Sequence, residues 1–360
     1  MNSKIIYDLW LSNIPELGIE SQNKLLEVFG SSYDIYEAIV NKDFLDSIHI
    51  NGLNKKAIDY AMNRDMSIPQ AIEKDMKEIG IVPLSKYDKE YPQTLLCLSD
   101  APLVIYTRGK LSKKMAVAIV GARKASNYGL WVARNIAKKL AEYNFQVVSG
   151  MALGIDCAAH QGALEGEGHT TAVLGCGPDI CYPQSNIKTF EAIIKKGAVI
   201  SEFPPGVKPF PYNFPRRNRL ISALSKVVVV AEAGLNSGSL ITADFALEQG
   251  KEVFSVPGNI NNIFSLGTNK LIKDGANPLI KIDDIINELG IKTDEKIRNE
   301  QLCLGMDEKQ IYELVLQSGE ISVDELSQKS KKTISQIKGI VSILEIKGVL
   351  DSALGKIFIA

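Results

Sequence analysis

The stretch MAVAIVGARKASNYG, residues 115–129, decides the fold of this chain. Its first six residues are small, apolar or β-branched, as is typical of a strand buried on both faces of a sheet. Gly121 then opens a polar loop, and a helical pattern starts near Leu130. Similar apolar runs recur at residues 146–148, 171–174, 198–200, 226–231 and 252–256. Strands of this kind, separated by helical stretches, predict an α/β fold: a doubly wound, extended Rossmann-like parallel sheet.

The segments on either side of this region have other patterns. Residues 1–80 predict a small helical domain, and its stretch 14–20, IPELGIE, is similar to the turn of a SAM or helix-hairpin-helix module that lacks its second glycine. A domain that only packs is the alternative. We expect the sheet domain to span residues 81–290, followed by a charged linker at 291–305 and a winged-helix domain at 306–360.

Composition limits the class of protein. The chain of 360 residues is 45% hydrophobic and 23% charged, which is typical of a globular protein. No apolar run approaches a membrane span and Asp8 interrupts the amino terminus, so we expect no membrane contact and a cytoplasmic location. The five cysteines show no paired C-x-x-C spacing, and we therefore predict no metal site.

Charge is distributed unevenly along the chain. The net charge is −1, yet residues 115–281 carry 17 basic and 12 acidic side chains. The flanking segments are acidic, with 14 basic and 16 acidic side chains in residues 1–114 and 10 and 14 in residues 282–360. Only the middle segment is basic, which favours a polyanionic partner there.

The loops that follow the first two predicted strands have the composition of phosphate sites. Ligands of doubly wound sheets bind beyond the carboxyl ends of the strands. Glycines there let backbone N–H groups approach a phosphate, and an arginine adds a bidentate cation. The candidate residues are Gly121, Arg123, Ser126, Ser149, Gly150 and Gly154. The G-x-G-x-x-G fingerprint is absent, which argues against a dinucleotide site.

A cluster of arginines precedes the fourth apolar helix. The segment FPRRNRLIS begins at residue 214, and we propose Phe214, Arg216, Arg217, Asn218 and Arg219 as nucleic-acid contacts. No acid occurs between Glu202 and Glu232, which favours a polyanion over an ordinary solvated charge run. An internal role, with at least one arginine bracing the edge of the sheet, is the alternative.

Two smaller patterns each allow two interpretations. Asp156 and His160 are four residues apart on one predicted helix, where they form either an acid–base pair or a helix-start acid with a hydrogen-bonded partner. Tyr182 either stacks on a base of a single strand or closes a turn. We predict no catalytic residue and no cofactor.

The ordered motifs resemble one family, the DNA-processing protein A (DprA or Smf) family. They are GARKASNYG, SGMALGIDCAAH, AVLGCGPDICYP, SEFPPG, FPRRNRLIS, SGSLITADFALEQG and VPGN. The resemblance implies a homodimer that binds single-stranded DNA and loads a RecA-type recombinase during natural transformation, with single-strand-binding protein as a further partner. It also implies that Arg123 lines the DNA pocket. A lysine is expected just after the Tyr-Pro turn, but Gln184 stands there and Lys188 is the nearest substitute.

Two rival functions come from other classes. A nucleotide phosphoribohydrolase-like enzyme would need a PGG-x-GT-x-x-E loop, whereas residues 231–243 read AEAGLNSGSLITA. A winged helix that reads duplex DNA would be basic, whereas residues 306–360 carry 7 basic and 8 acidic side chains. Within that segment, Ser322 with Glu325 and Thr333 with Gln336 predict capping boxes at two helix starts.

Overall fold

The computed structural model describes residues 5–39, 55–63, 65–290, 304–346, 349–353 and 355–359. The chain divides into two compact units, Met1–Ile291 and Lys292–Ala360. All but the last two residues of the predicted linker lie outside the described residues. Within the described ranges, no helix is both long and apolar enough to cross a membrane.

The larger unit is built on a mostly parallel sheet, which confirms the predicted α/β fold. Its strands among the described residues are β1 (Ile81–Ser85), β2 (Val104–Gly109), β3 (Ala116–Gly121), β4 (Gln146–Ser149), β5 (His169–Leu174), β6 (Ala198–Ser201), β7 (Val227–Glu232), β8 (Glu252–Ser255) and β9 (Asn277–Pro278). Their order across the sheet is β1-β2-β6-β5-β4-β3-β7-β8-β9. The pairings of β1 with β2 and of β2 with β6 are antiparallel, and the pairings from β6 to β9 are parallel.

Helices precede the sheet and connect its strands. The described helices of this unit are α1 (Ile5–Ser12), α2 (Ile19–Phe29), α3 (Ser32–Ala38), α4 (Lys55–Met62), α5 (Ser67–Ile79), α6 (Asn127–Glu142), α7 (Ile155–Glu165), α8 (Ile187–Lys196), α9 (Asn213–Leu224), α10 (Gly238–Glu248), α11 (Leu266–Lys273) and α12 (Ile282–Glu288).

The central strand β3 shows why the sheet is covered on both faces. Its alternate residues Val117 and Ile119 pack in one core with α6 and α7, whereas Ala118 and Val120 pack in another with α9 and α10. Because side chains alternate along a strand, a strand that is apolar throughout needs a helix layer on each side.

The amino-terminal helices pack against the antiparallel edge of the sheet. Trp10 of α1 lies in one core with Ile81 of β1 and Tyr106 of β2. The Tyr106 hydroxyl accepts a hydrogen bond from Asn13 Nδ2 at 3.1 Å. In the turn between α1 and α2, Ile14 and Leu17 are buried, so the apolar residues of the predicted hairpin motif take part in packing.

The smaller unit combines helices with an antiparallel sheet. Its described elements are α13 (Met306–Ser318), β10 (Glu320–Ser322), α14 (Val323–Ser330), α15 (Ile334–Ile346), β11 (Leu350–Ala353) and β12 (Lys356–Ile359), with strand order β10-β12-β11. Both predicted capping boxes are confirmed. Glu325 N–H donates to Ser322 Oγ at 3.3 Å, and Gln336 N–H donates to Thr333 Oγ1 at 3.4 Å.

Candidate nucleic-acid interface

The candidate site lies where the direction of winding reverses. The strand β3 pairs with β4 on one side and with β7 on the other. Loops leaving the carboxyl ends of these strands diverge and leave a crevice, which is where ligands of doubly wound sheets bind. The predicted residues of the first two glycine loops lie at this edge, since the loops follow β3 and β4.

A buried carboxylate occupies the start of α6 in the first glycine loop. Glu232, at the end of β7, accepts hydrogen bonds from Ser126 N–H at 2.7 Å and from Ser126 Oγ at 2.6 Å. Ser126 Oγ also accepts from Gly129 N–H at 3.0 Å. A carboxylate therefore already neutralises the positive end of the helix dipole, which a phosphate occupies in dinucleotide sites. The donors of Ser126 are used inside the protein.

The second glycine loop is closed in the same way. Asp156, near the start of α7, accepts from Gly150 N–H at 3.1 Å and from Ala152 N–H at 3.3 Å. Ser149 is buried and its hydroxyl donates to the carbonyl of Ile119 at 2.6 Å. These predicted site residues thus hold the loop together, and their polar groups face protein partners.

Gly154 fastens the second loop to the first. Its φ of +75° belongs to the left-handed region, which favours glycine. A Cβ at this position would also lie 2.7 Å from the carbonyl oxygen of Arg123. Glycine is required here because two backbones meet, and the contact holds the segment that carries Arg123 in place.

Asp156 and His160 do not form an acid–base pair. His160 is buried, and its Nδ1 lies 2.7 Å from Thr170 Oγ1, whose hydroxyl donates to the carbonyl of Val147. The Thr170 oxygen therefore accepts from a protonated Nδ1. Burial, and secondly the charge of Arg217, lower the pKa of His160 to about 3, whereas burial raises the pKa of Asp156. Asp156 is the predicted helix-start acid, but its partners are the backbone amides of Gly150 and Ala152, whereas His160 has its own partner in Thr170.

Arg217 braces the edge of the sheet from inside. It is 4% exposed, and its Nη1 donates to the carbonyl of Gly150 at 2.7 Å and to that of Val173. Burial lowers its pKa to about 10, so it remains charged at neutral pH. Its neighbour Asn218 donates to the carbonyl of Gly238 at 3.2 Å. Both residues were predicted to contact nucleic acid, but the structure gives them internal partners.

Arg219 pairs with carboxylates although no acid lies near it in the sequence. It is also 4% exposed; its Nε contacts Asp100 Oδ2 at 2.6 Å and its Nη2 contacts Glu202 Oε2 at 2.8 Å. Arg216 reaches the same Glu202 oxygen at 3.2 Å. Acids before residue 203 thus fold back onto the cluster, and Arg219 is a buried ion-pair partner whose guanidinium is engaged by protein carboxylates.

At the crevice, two exposed side chains lie against the ring of Phe214. The Arg123 guanidinium lies 5.4 Å from the centre of the Phe214 ring. The centres of the Tyr182 and Phe214 rings are 5.5 Å apart, and their planes are tilted by 31°. Arg123 and Tyr182 are exposed, and Phe214 is half-buried. We call Arg123, Tyr182 and Phe214 the aromatic rim. Sequence reasoning found all three, although it assigned Tyr182 no definite role.

Two further predicted cations lie outside the rim. Arg216 keeps 48% of its side chain exposed while pairing with Glu202, and its guanidinium lies 5.5 Å from the centre of the Phe203 ring. Lys188 is exposed on the first turn of α8. The residue before this helix, Asn186, donates to the carbonyls of Met151 and Ala152, which ties the start of α8 to the second glycine loop.

The arrangement suits a ligand that is both anionic and aromatic. Guanidinium groups bind phosphate, and aromatic faces stack on bases. Glu232 occupies the start of α6 and Asp156 occupies amides of the second glycine loop, so these N–H groups are not free to bind a compact nucleotide phosphate. Across the described part of the chain, no group of three or more His, Cys, Asp or Glu side chains is placed to hold a metal ion.

The sequence matches one family model and is similar to bacterial proteins that bear the name DprA. The family model for DNA recombination-mediator protein A matches residues 83–290. DNA processing protein DprA of Streptococcus pneumoniae is 35% identical over 274 residues, which cover 75% of this chain and 94% of the relative. The Bacillus subtilis protein of that name is 39% identical over 214 residues, covering 59% of this chain and 71% of the relative.

Two solved structures are also similar. The X-ray structure of DprA from Streptococcus pneumoniae superposes with a TM-score of 0.66 at 34% identity, over 80% of this chain and 98% of that one. DNA processing protein A from Helicobacter pylori, whose structure was described for its unique single-stranded DNA binding mode, gives a TM-score of 0.53 at 33% identity, over 58% and 95%.

Proposed function

Because this chain belongs to the DNA recombination-mediator protein A family, we propose that it binds single-stranded DNA and acts as a recombination mediator through the aromatic rim. The observation that carries the proposal is the exposed Arg123 guanidinium over the ring of Phe214, with Tyr182 beside it. A single strand offers unpaired bases for such rings and a continuous line of phosphates for the cations around them. In a duplex the bases are already stacked on one another.

The internal carboxylates support a strand over a mononucleotide. Glu232 occupies the backbone N–H group of Ser126 at the start of α6, and Asp156 occupies those of Gly150 and Ala152 in the second glycine loop. Phosphate contacts are then left to exposed side chains. We propose Arg123 as the principal cation, Arg216 as a secondary one and Lys188 as the substitute for the family's lysine. Arg217, Asn218, Arg219, Ser126 and Ser149 support the site from below.

The partners follow from family membership. We propose that the chain forms a homodimer and loads a RecA-type recombinase onto incoming single strands during natural transformation, with single-strand-binding protein as a further partner. For such a role we propose a cytoplasmic location. We propose a winged-helix fold for residues 306–360 and assign it protein contacts or dimer support, because its 7 basic and 8 acidic side chains do not favour duplex DNA.

A salt series with labelled oligonucleotides tests the central claim. The full chain is expected to bind single-stranded DNA more tightly than duplex of the same sequence, and affinity should fall steeply as salt rises. Arg123→Ala should weaken binding. Arg134→Ala is the matched control, because Arg134 is a half-exposed arginine on α6 that pairs with Glu165. Equal affinity for duplex, or equal losses in the two variants, would contradict the proposal.

The phosphoribohydrolase-like alternative has a weaker structural basis. Its catalytic loop would lie in residues 231–243, where the one acid is Glu232. That carboxylate is buried and bonded to Ser126. Release of free base from nucleoside monophosphates by the purified chain would favour this alternative.

A further inference from the structure

Two aromatic rings outside the rim are exposed and stacked on each other. The Phe210 and Tyr212 rings are nearly parallel, at 4°, with their centres 5.5 Å apart. Phe210 is 43% exposed and Tyr212 is 70% exposed. Large apolar rings gain free energy when they are covered, so a stacked pair left in water at a crevice indicates a ligand surface. The proposed function so far gives these rings no role.

The loop that presents them is fixed at both ends. At its start, Gly206 N–H donates to the Asp179 carboxylate at 3.0 Å, and Gly177 N–H donates to the carbonyl of Val207 at 2.8 Å. At its end, Asn213 Nδ2 donates to the carbonyl of Gly175 at 3.0 Å. All three anchors join it to the loop that follows β5 and carries Tyr182. The stacked pair is therefore held in a defined position beside the rim.

The distance to the rim is short. Tyr212 precedes Phe214 by two residues, so their Cα atoms are separated by at most about 7 Å. The stacked pair and the aromatic rim are therefore neighbours along the chain.

The charge around the pair also favours a nucleic acid. Lys208 is exposed on the same loop, and Arg216 is half-exposed one turn into α9. Residues 203–214 contain no acid. The nearest acid in sequence, Glu202, is buried and paired with Arg216 and Arg219. Folding brings one further carboxylate to the start of the loop, that of Asp179, which accepts from Gly206 N–H. The rings themselves lie between Lys208 and Arg216, and these cations favour a phosphate chain there.

We infer that Phe210 and Tyr212 form a second base-stacking subsite, which takes nucleotides of the same single strand next to those held at the aromatic rim. The inference rests on the proposed single-strand function and adds a direction to it, since the strand would run from Phe214 at the start of α9 back along the loop toward Phe210. Stacking on an open pair of rings tolerates any base, so the subsite adds affinity for longer strands without sequence preference.

A length series of oligothymidylates, measured on the full chain by fluorescence anisotropy, tests the subsite. The double variant Phe210→Ala/Tyr212→Ala should bind strands of about 12 nucleotides roughly fivefold to hundredfold more weakly than wild type. It should bind the shortest strand that wild type retains, on the order of 4 nucleotides, with unchanged affinity. Tyr143→Ala is the matched control, because Tyr143 is an exposed tyrosine at the carboxyl end of α6, whereas the crevice lies at the amino end of that helix.

Single substitutions separate stacking from general apolar contact. Tyr212→Phe keeps the ring and should bind long strands as wild type does. Tyr212→Leu keeps an apolar side chain without an aromatic face and should lose affinity as Tyr212→Ala does. If Tyr212→Leu binds like wild type, base stacking on this ring does not hold the strand, and the inference is overturned.

The outcomes distinguish this inference from the proposed function. If wild type binds no single strand at any length, the proposed function fails and the subsite fails with it. If wild type binds but the double variant matches it at every length, only the subsite is wrong. An equal loss at all lengths would show that the rings shape the rim, which also overturns a separate subsite.

Discussion

Two pairs of arginines near the crevice have opposite environments. Arg123 and Arg216 are exposed, and their guanidinium groups lie over the rings of Phe214 and Phe203. Arg217 and Arg219 are each 4% exposed and bind carbonyls or carboxylates of the protein. Arginines of α9 and of the first glycine loop thus have two roles: some bind other parts of the protein, and others present their guanidinium groups to solvent. Burial and partners, not residue type, decide which arginine is free to bind a ligand.

The buried pair explains how the exposed pair is held. Arg217 joins the ends of β4 and β5 through the carbonyls of Gly150 and Val173. Arg219 joins α9 to Asp100 and to Glu202. A planar guanidinium with five donors can bridge two such partners at once, which an ammonium group cannot do in a fixed geometry. The start of α9, which carries Phe214 and Arg216, is thereby fixed to the sheet.

The largest effect is expected from breaking the buried pair. Arg219→Ala and Arg217→Ala should each lower the free energy of unfolding of the larger unit by about 3–5 kcal/mol, because a buried carboxylate or carbonyl loses its cation. Urea unfolding followed by tryptophan fluorescence measures this, since the chain's two tryptophans, Trp10 and Trp131, both belong to the larger unit.

The exposed pair provides the control for that measurement. Arg123→Ala removes a cation with an aromatic contact but no buried ion pair, so the unfolding free energy should stay within about 0.5 kcal/mol of wild type. If Arg123→Ala destabilises the larger unit as much as Arg219→Ala does, the division into exposed and buried arginines is wrong.

A second effect tests the buried layer through its histidine. The unfolded chain protonates His160 near pH 6.5, whereas burial, with the charge of Arg217, holds the folded pKa at about 3. Stability from the neutral imidazole is therefore complete above pH 6.5 and is lost as the pH falls toward 3. Between pH 7.5 and 5 the loss should be about 2 kcal/mol.

The variant His160→Gln isolates this contribution. Glutamine can still bond to Thr170 but does not titrate, so the stability difference between wild type and variant should shrink by about 2 kcal/mol on acidification to pH 5. The measurement is urea unfolding at each pH. A difference that is constant from pH 7.5 to 5 would show that His160 is protonated in the folded chain as readily as in the unfolded one.

The sequence predicts the fold more completely than it predicts the candidate site. The parallel sheet was predicted because strands buried on both faces appear as continuous apolar runs, such as residues 227–230. The short edge strand β9 was not predicted, because two residues, one of them Pro278, form no recognisable pattern. The exposed Arg123 was predicted from its glycine loop.

The pairing of the other arginines could not be predicted in this way. Arg219 binds Asp100, which lies 119 positions away in the chain, and Ser126 binds Glu232 across 106 positions. No local pattern records such partners. A sequence window that lacks acids describes neither the acids nor the backbone carbonyls that folding brings to it, and this is why Arg217 and Arg219 were predicted to contact DNA.

A third effect concerns the exposed pair directly. Arg123→Ala should weaken binding of single-stranded DNA by roughly tenfold, since the contact of the guanidinium with phosphate and with the Phe214 ring is lost. The slope of log affinity against log salt should fall by about 0.7, the value for one phosphate contact on a single strand. Arg123→Lys should restore the slope, because it keeps the charge. It should not restore the full affinity, because an ammonium lacks the planar face that lies on Phe214.

The smallest effect is expected at Arg216, which shares features of both pairs. Its side chain is 48% exposed, yet it contacts the Glu202 oxygen that Arg219 also binds. Arg219 still neutralises that oxygen in Arg216→Ala, so stability should fall by less than about 1 kcal/mol. Affinity for single-stranded DNA should fall by about twofold to threefold, because the guanidinium is already partly engaged by Glu202. The measurement is a titration of Arg216→Ala and of Arg123→Ala with the same single-stranded oligonucleotide. A loss as large as that of Arg123→Ala would mean that Arg216 leaves Glu202 when DNA binds. Arg216 would then pair with the protein in the free chain and with DNA in the complex.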